Sequence, residues 1–128
     1  MSFGPEPDRR FCTERQAYHE KLDPDLLVFL DIGGPTGPDD LAALLDCPEI
    51  HLSGGHTRVF QRLLKENGLL VALADWAQNG GILIGTSAGA ILMTPSVALY
   101  ALLSGKDPKA VRGAEALGLV PCEFFPHF

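Results

Sequence analysis

The sequence predicts an α/β domain built on a mostly parallel sheet, and three observations predict it. Short apolar runs at residues 26–30, 50–53 and 82–84 have the length of strands. Stretches with helical spacing lie between them, and such alternation builds crossover units and parallel sheets. Glycine-rich turns follow two of the runs, Gly54-Gly55 and Gly85-Thr86-Ser87-Ala88-Gly89. In parallel sheets ligands bind beyond the carboxyl ends of the strands, so these turns mark the functional edge.

The elements follow in order. Residues 1–7 are rich in Pro and Gly and read as loop or a frayed strand end around Phe3. Residues 8–22 carry Phe11, Arg15, Tyr18 and Leu22 at helical spacing, which predicts an amphipathic surface helix stopped at Asp23-Pro24-Asp25. The continuous run 26–30 predicts a strand buried on both faces. Residues 31–38 hold three glycines and two prolines and form a loop. Asp39 or Asp40 then caps a short helix over 41–45. The strand 50–53 leads through Gly54-Gly55-His56-Thr57 into a helix bearing Val59, Phe60, Leu63 and Leu64 on one face. Asn67-Gly68 closes that helix in a left-handed cap. A further helix spans 69–78 with Leu70, Leu73, Ala74 and Ala77 inward, and Asn79-Gly80 ends it before the buried strand at 82–84. After the serine turn a helix runs to about Met93, where Pro95 interrupts it. Residues 96–103 read as helix or strand, 104–112 as loop, and 119–125 as a last strand ending at Pro126-His127-Phe128.

A chain of 128 residues suits one domain, residues 1–128, with a modest core. The net charge of −6, with ten scattered Lys and Arg, argues against a nucleic-acid footprint. Three widely spaced cysteines suit neither a disulfide framework nor a zinc knuckle, so no metal or cofactor is expected. No apolar run approaches membrane-spanning length and no secretory signal precedes the first charges, which makes a reducing cytoplasm the simplest location.

The chemistry centres on Ser87. Strand, tight turn with serine at its tip, then helix is the context that raises Gly85-Thr86-Ser87-Ala88-Gly89 above a chance Gly-x-Ser-x-Gly. A sharp turn strains the serine backbone and requires small neighbours. A serine hydroxyl attacks poorly alone and needs a base within hydrogen-bond reach. His127 is the best candidate, since it follows the predicted last strand and should emerge at the same sheet edge as Ser87 and Gly54-Gly55. His19 reads as solvated, His51 as a satisfied core or edge residue, and His56 as an exposed loop histidine within reach of a substrate. Ala88, after the nucleophile, and Gly55, after the neighbouring strand, are the candidate N–H donors of an oxyanion hole. Phosphate binding by Gly54-Gly55-His56-Thr57 lacks both the Gly-x-Gly-x-x-Gly and the Gly-Lys-Ser/Thr pattern. A Gly/Ser-rich turn with no chemistry is the plain alternative.

Three blocks resemble the peptidase E (aspartyl dipeptidase) family of serine peptidases, related to cyanophycinases. They are Gly54-Gly55-His56-Thr57, Gly85-Thr86-Ser87-Ala88-Gly89-Ala90, and the stretch from Ala116 to Pro126-His127-Phe128. The resemblance covers about residues 27–128. It implies a flavodoxin-like fold, as in class I glutamine amidotransferases, with Ser87 as nucleophile, His127 as base, and the Gly55 and Ala88 N–H groups as oxyanion hole. It also implies a small peptide substrate with an N-terminal acidic residue. Three features depart from the pattern. His56 replaces Asn or Asp, a first strand is missing, and the chain ends one residue after His127 where the family continues, leaving the fold incomplete at its C-terminal side. The family's orienting acid falls near residues 102–107, where Asp107 alone is acidic. An uncovered sheet edge invites pairing with another chain, so a homodimer or larger homo-oligomer is expected. The competing readings are a non-catalytic truncated relative that binds or assembles, and an α/β-hydrolase-type esterase.

Overall fold

Two short apolar segments, β1 (Glu49–Leu52) and β2 (Ile82–Gly85), pair in parallel with Glu49 opposite Ile82 and Leu52 opposite Gly85. Parallel neighbours need a long crossover. Here it is two helices, α3 (Thr57–Glu66) and α4 (Leu69–Gln78), joined at Gly68, whose φ of 67° is the left-handed conformation that glycine adopts freely. Before β1 come α1 (Arg10–Glu20) and α2 (Pro38–Leu45). After β2 come α5 (Ala88–Ile91) and α6 (Ala98–Leu103). This is a computed structural model, and it describes residues 10–22, 29–105 and 112–126.

One apolar cluster joins β1, α2, α3, α4 and α5, with partly buried residues of β2 and α6 packed against it. Ile50 and Leu52 of β1 meet Phe60 and Leu64 of α3, Leu69 and Leu73 of α4, and Ala88 and Ile91 of α5. Each large side chain so buried contributes roughly 1.5–3 kcal/mol. Leu30, Ile32, Leu44, Val97, Ala114 and Leu117 belong to the same cluster. Residues 113–119 are held by partners distant in sequence. The buried Gln61 amide donates to the carbonyls of Gly113 (2.8 Å) and Glu115 (2.7 Å), and Lys65 donates to Gly113 O and the Glu115 carboxylate. The N–H groups of Ala116, Leu117, Gly118 and Leu119 bond to the carbonyls of Pro95, Leu92, Thr94 and Met93.

Several expected elements differ. The helix expected at 41–45 starts at Pro38, because Pro suits the first helical turn and the N–H of Gly37, not an aspartate at the cap, bonds to Asp40 Oδ2 at 2.9 Å. On the expected apolar face of residues 8–22, Tyr18 is 53% and Leu22 65% exposed. The strand at 82–84 is not buried. Ile82 is 57% and Ile84 42% exposed on the face they share, and among the described residues β2 pairs only with β1. Residues 119–125 form no strand. Glu123 instead accepts hydrogen bonds from the Ser96 hydroxyl and the Leu99 N–H, and Phe125 stacks on Tyr100. Of the predicted strand 26–30, residues 26–28 lie outside the described residues, and Leu30 is buried without strand pairing.

Candidate active site

β1 and β2 end side by side, so the turns that follow them meet. The N–H of Thr86 bonds to Leu52 O at 2.9 Å and extends the ladder one residue past β2. The next residue, Ser87, has φ 52° and ψ −111° and is the one non-glycine residue with positive φ among those described. A backbone of this kind costs about 1–3 kcal/mol and persists only where its surroundings impose it. Here they do. Gly89 N–H bonds to Thr86 O (3.0 Å), and Ile91 N–H bonds to Ser87 O (3.0 Å) as α5 begins.

The two flanking glycines are sterically required. A Cβ on Gly89 would lie 2.1 Å from Leu52 O, and one on Gly85 would lie 2.7 Å from the Ala90 backbone. The turn therefore reverses against the end of β1 with no room for a side chain on either flank. Across from it, a Cβ on Gly54 would sit 3.4 Å from Ser87 Cβ, which shows how closely the Gly54-Gly55 loop approaches the serine. Gly55 has φ 142°, a conformation that other residues rarely adopt. Ala88 is buried at the first position of α5, where its N–H has no carbonyl within the helix to bond.

Two histidines border the turn. His56 is the N-cap of α3, and its Nδ1 accepts from Val59 N–H at 3.4 Å, the task an Asn or Asp performs at such a position. The His51 ring reaches from β1 to Thr86, Nε2 to Oγ1, at 2.7 Å. The ring of His19 from α1 packs edge-on against His51 with centroids 5.4 Å apart. Burial pushes the His51 imidazole below its ordinary 6.5, the nearby His19 and Arg15 push it further, and Glu49 opposes them.

A sequence profile of peptidase family S51 matches residues 8–128. The chain belongs to this family. Peptidase E of Salmonella arizonae is 34% identical over 123 residues, which is 92% of the chain and 52% of that protein. Peptidase E of Salmonella typhimurium is 37% identical, with the same 92% and 52% covered. A crystal structure of a "putative peptidase E protein" from Listeria monocytogenes EGD-e superposes with a TM-score of 0.64 at 26% identity, covering 77% of the chain and 50% of that structure. The S51 chain thus spans about half the length of the curated relatives it matches.

Of the residues the S51 chain was expected to use, Ser87, Ala88 and Gly55 lie on the two adjoining turns. His127 and Asp107 lie outside the described residues. No group of three or more His, Cys, Asp or Glu among the described residues is arranged to hold a metal ion. Sequence reasoning missed the bond between His51 and Thr86. A histidine inside an apolar strand carries no local sign of its partner, which sits 35 residues on.

Proposed function

We propose that this S51 chain acts as a serine-type peptidase with Ser87 as nucleophile. The observation that carries the reading is the strained serine at φ 52° on a strand-turn-helix elbow, facing a second glycine turn from the adjacent strand. Ser87 Oγ attacks the carbonyl carbon of a peptide bond and gives its proton to His127, which passes it to the leaving amine. The N–H groups of Ala88 and Gly55 take up the negative charge on the carbonyl oxygen while the carbon is tetrahedral. Water then attacks the acyl-enzyme, with His127 again as base, and the carboxylate product leaves. Asp107 is assigned the role of orienting His127.

The proposed substrate is a short peptide, and the resemblance of the three sequence blocks to peptidase E implies an N-terminal acidic residue as its distinguishing group. The small parallel sheet with its crossover helices supports a single flavodoxin-like domain, and the edge of a sheet that is two-stranded among the described residues supports a homo-oligomer. Among the described residues no helix is long and apolar enough to cross a membrane. The proposed setting is the cytoplasm. The test is a fluorophosphonate probe on folded protein. Mass spectrometry should find the adduct on Ser87, and Ser87→Ala should abolish it. Folded wild-type protein that takes no label would count against the proposal.

A further inference from the structure

Thr86, the residue before Ser87, is held by three hydrogen bonds. Its N–H is fixed to Leu52 O, its carbonyl to Gly89 N–H, and its hydroxyl to the His51 imidazole. The first two are backbone bonds that any residue would make. The third requires a hydroxyl at 86 and a ring nitrogen at 51. Residue 51 stands two places after Glu49 and pairs with Ile84, so its side chain projects from the sheet face opposite Ile50 and Leu52, which are buried. From that face the ring reaches past the end of β2 to the residue before the nucleophile. His19 of α1 backs it from the other side, and Tyr18 packs edge-on against His19 at 5.4 Å.

We infer that His51 is a positioning residue of the serine elbow, acting through the Thr86 hydroxyl to hold the Ser87 backbone in its reactive conformation. The inference rests on the proposed role of Ser87 for its consequence in catalysis, but the restraint itself is independent of that role. A 2.7 Å bond to a side chain fixed in a strand limits rotation of Thr86 about its own backbone. The following φ at Ser87 is then set from the amino side as well as by the start of α5. Loss of the bond leaves the fold intact but lets the serine relax toward a less strained turn. The Ser87 hydroxyl then spends less time aligned with the N–H groups of the neighbouring turns. Misplacement of this kind lowers the rate of attack without changing how ligand is first bound.

The experiment has two readouts on the same variants: His51→Ala, Thr86→Val, the double variant, and His51→Gln and Thr86→Ser as conservative replacements. The first readout is amide hydrogen exchange of Thr86, Ser87 and Gly89, measured against the α4 amides as an internal reference. His51→Ala and Thr86→Val should each speed exchange at the elbow and leave α4 unchanged. The double variant should be no worse than either, and the two conservative replacements should keep the elbow protected. The second readout is fluorophosphonate labelling resolved into a binding constant and a maximal rate. The maximal rate should fall roughly tenfold to a hundredfold in the two disruptive variants, with the binding constant held. Elbow exchange unchanged by His51→Ala would overturn the inference, as would additive effects in the double variant or an adduct on Thr86. Faster exchange in the variants, with no labelling of wild type, would uphold the restraint and count against the peptidase reading alone.

Discussion

Ser87 occupies a backbone conformation that an L residue adopts only at a cost, and a glycine there would not pay it. Ser87→Gly should therefore stabilise the fold by about 1 kcal/mol while removing the hydroxyl. Chemical denaturation should show a higher midpoint at unchanged slope, and a lower midpoint would mean that the hydroxyl stabilises the turn. His51 makes a second prediction. Its proton affinity in the native state lies below the ordinary 6.5, so at pH values below that point the unfolded chain binds more protons than the native one. The contribution of this group to stability is complete above 6.5 and is lost as the pH falls toward the lowered value. Urea midpoints compared between about pH 5 and 8 should drop on the acid side for wild type, and less so for His51→Gln. Equal pH dependence in the two proteins would contradict the assignment.

The turn and the segment behind it depend on contacts between elements. Gly89 lets α5 begin against the end of β1. Gly89→Ala would place a carbon 2.1 Å from Leu52 O, so α5 must move or the fold must open. A loss of about 3 kcal/mol or more is expected, read from thermal or urea unfolding. Gln61 is the clamp of α3 on residues 113–115. Gln61→Leu leaves the Glu115 carbonyl without its donor and the Gly113 carbonyl with Lys65 alone, and should cost about 1–3 kcal/mol, with faster proteolysis near Gly113 as a local sign. The elements differ in how legible they were for reasons visible in these residues. α3 and α4 carry their punctuation locally, in His56-Thr57, Asn67-Gly68 and Asn79-Gly80, and the structure places their ends there. The serine turn carries its own steric signature in two glycines. Residues 113–125 do not, because what holds them is Gln61, Lys65, the carbonyls of 92–95, and Ser96, Leu99 and Tyr100, far away in the sequence. An apolar stretch there looks like a strand, and nothing local says otherwise.

For the whole molecule, the parallel pair β1–β2 and its helical crossover bring two turns from distant segments to one rim. That much of the site followed from the alternation of elements and the placement of glycines after strands. The exposure of Ile82 and Ile84 did not, since a short apolar run does not reveal whether both faces of its strand are covered. Their exposure next to a strand edge that is unpaired among the described residues predicts self-association. Sedimentation equilibrium should give a mass above that of one chain, and Ile84→Lys should lower it. A monomer at all concentrations would contradict this. The decisive measurement for the assigned chemistry is a crystal structure of the protein after reaction with a fluorophosphonate. Phosphorus bonded to Ser87 Oγ, with the phosphonyl oxygen about 3 Å from the N–H groups of Gly55 and Ala88 and the His127 ring within hydrogen-bond reach, is the predicted result. An adduct whose oxygen points to solvent, with the His127 ring turned away, would contradict it.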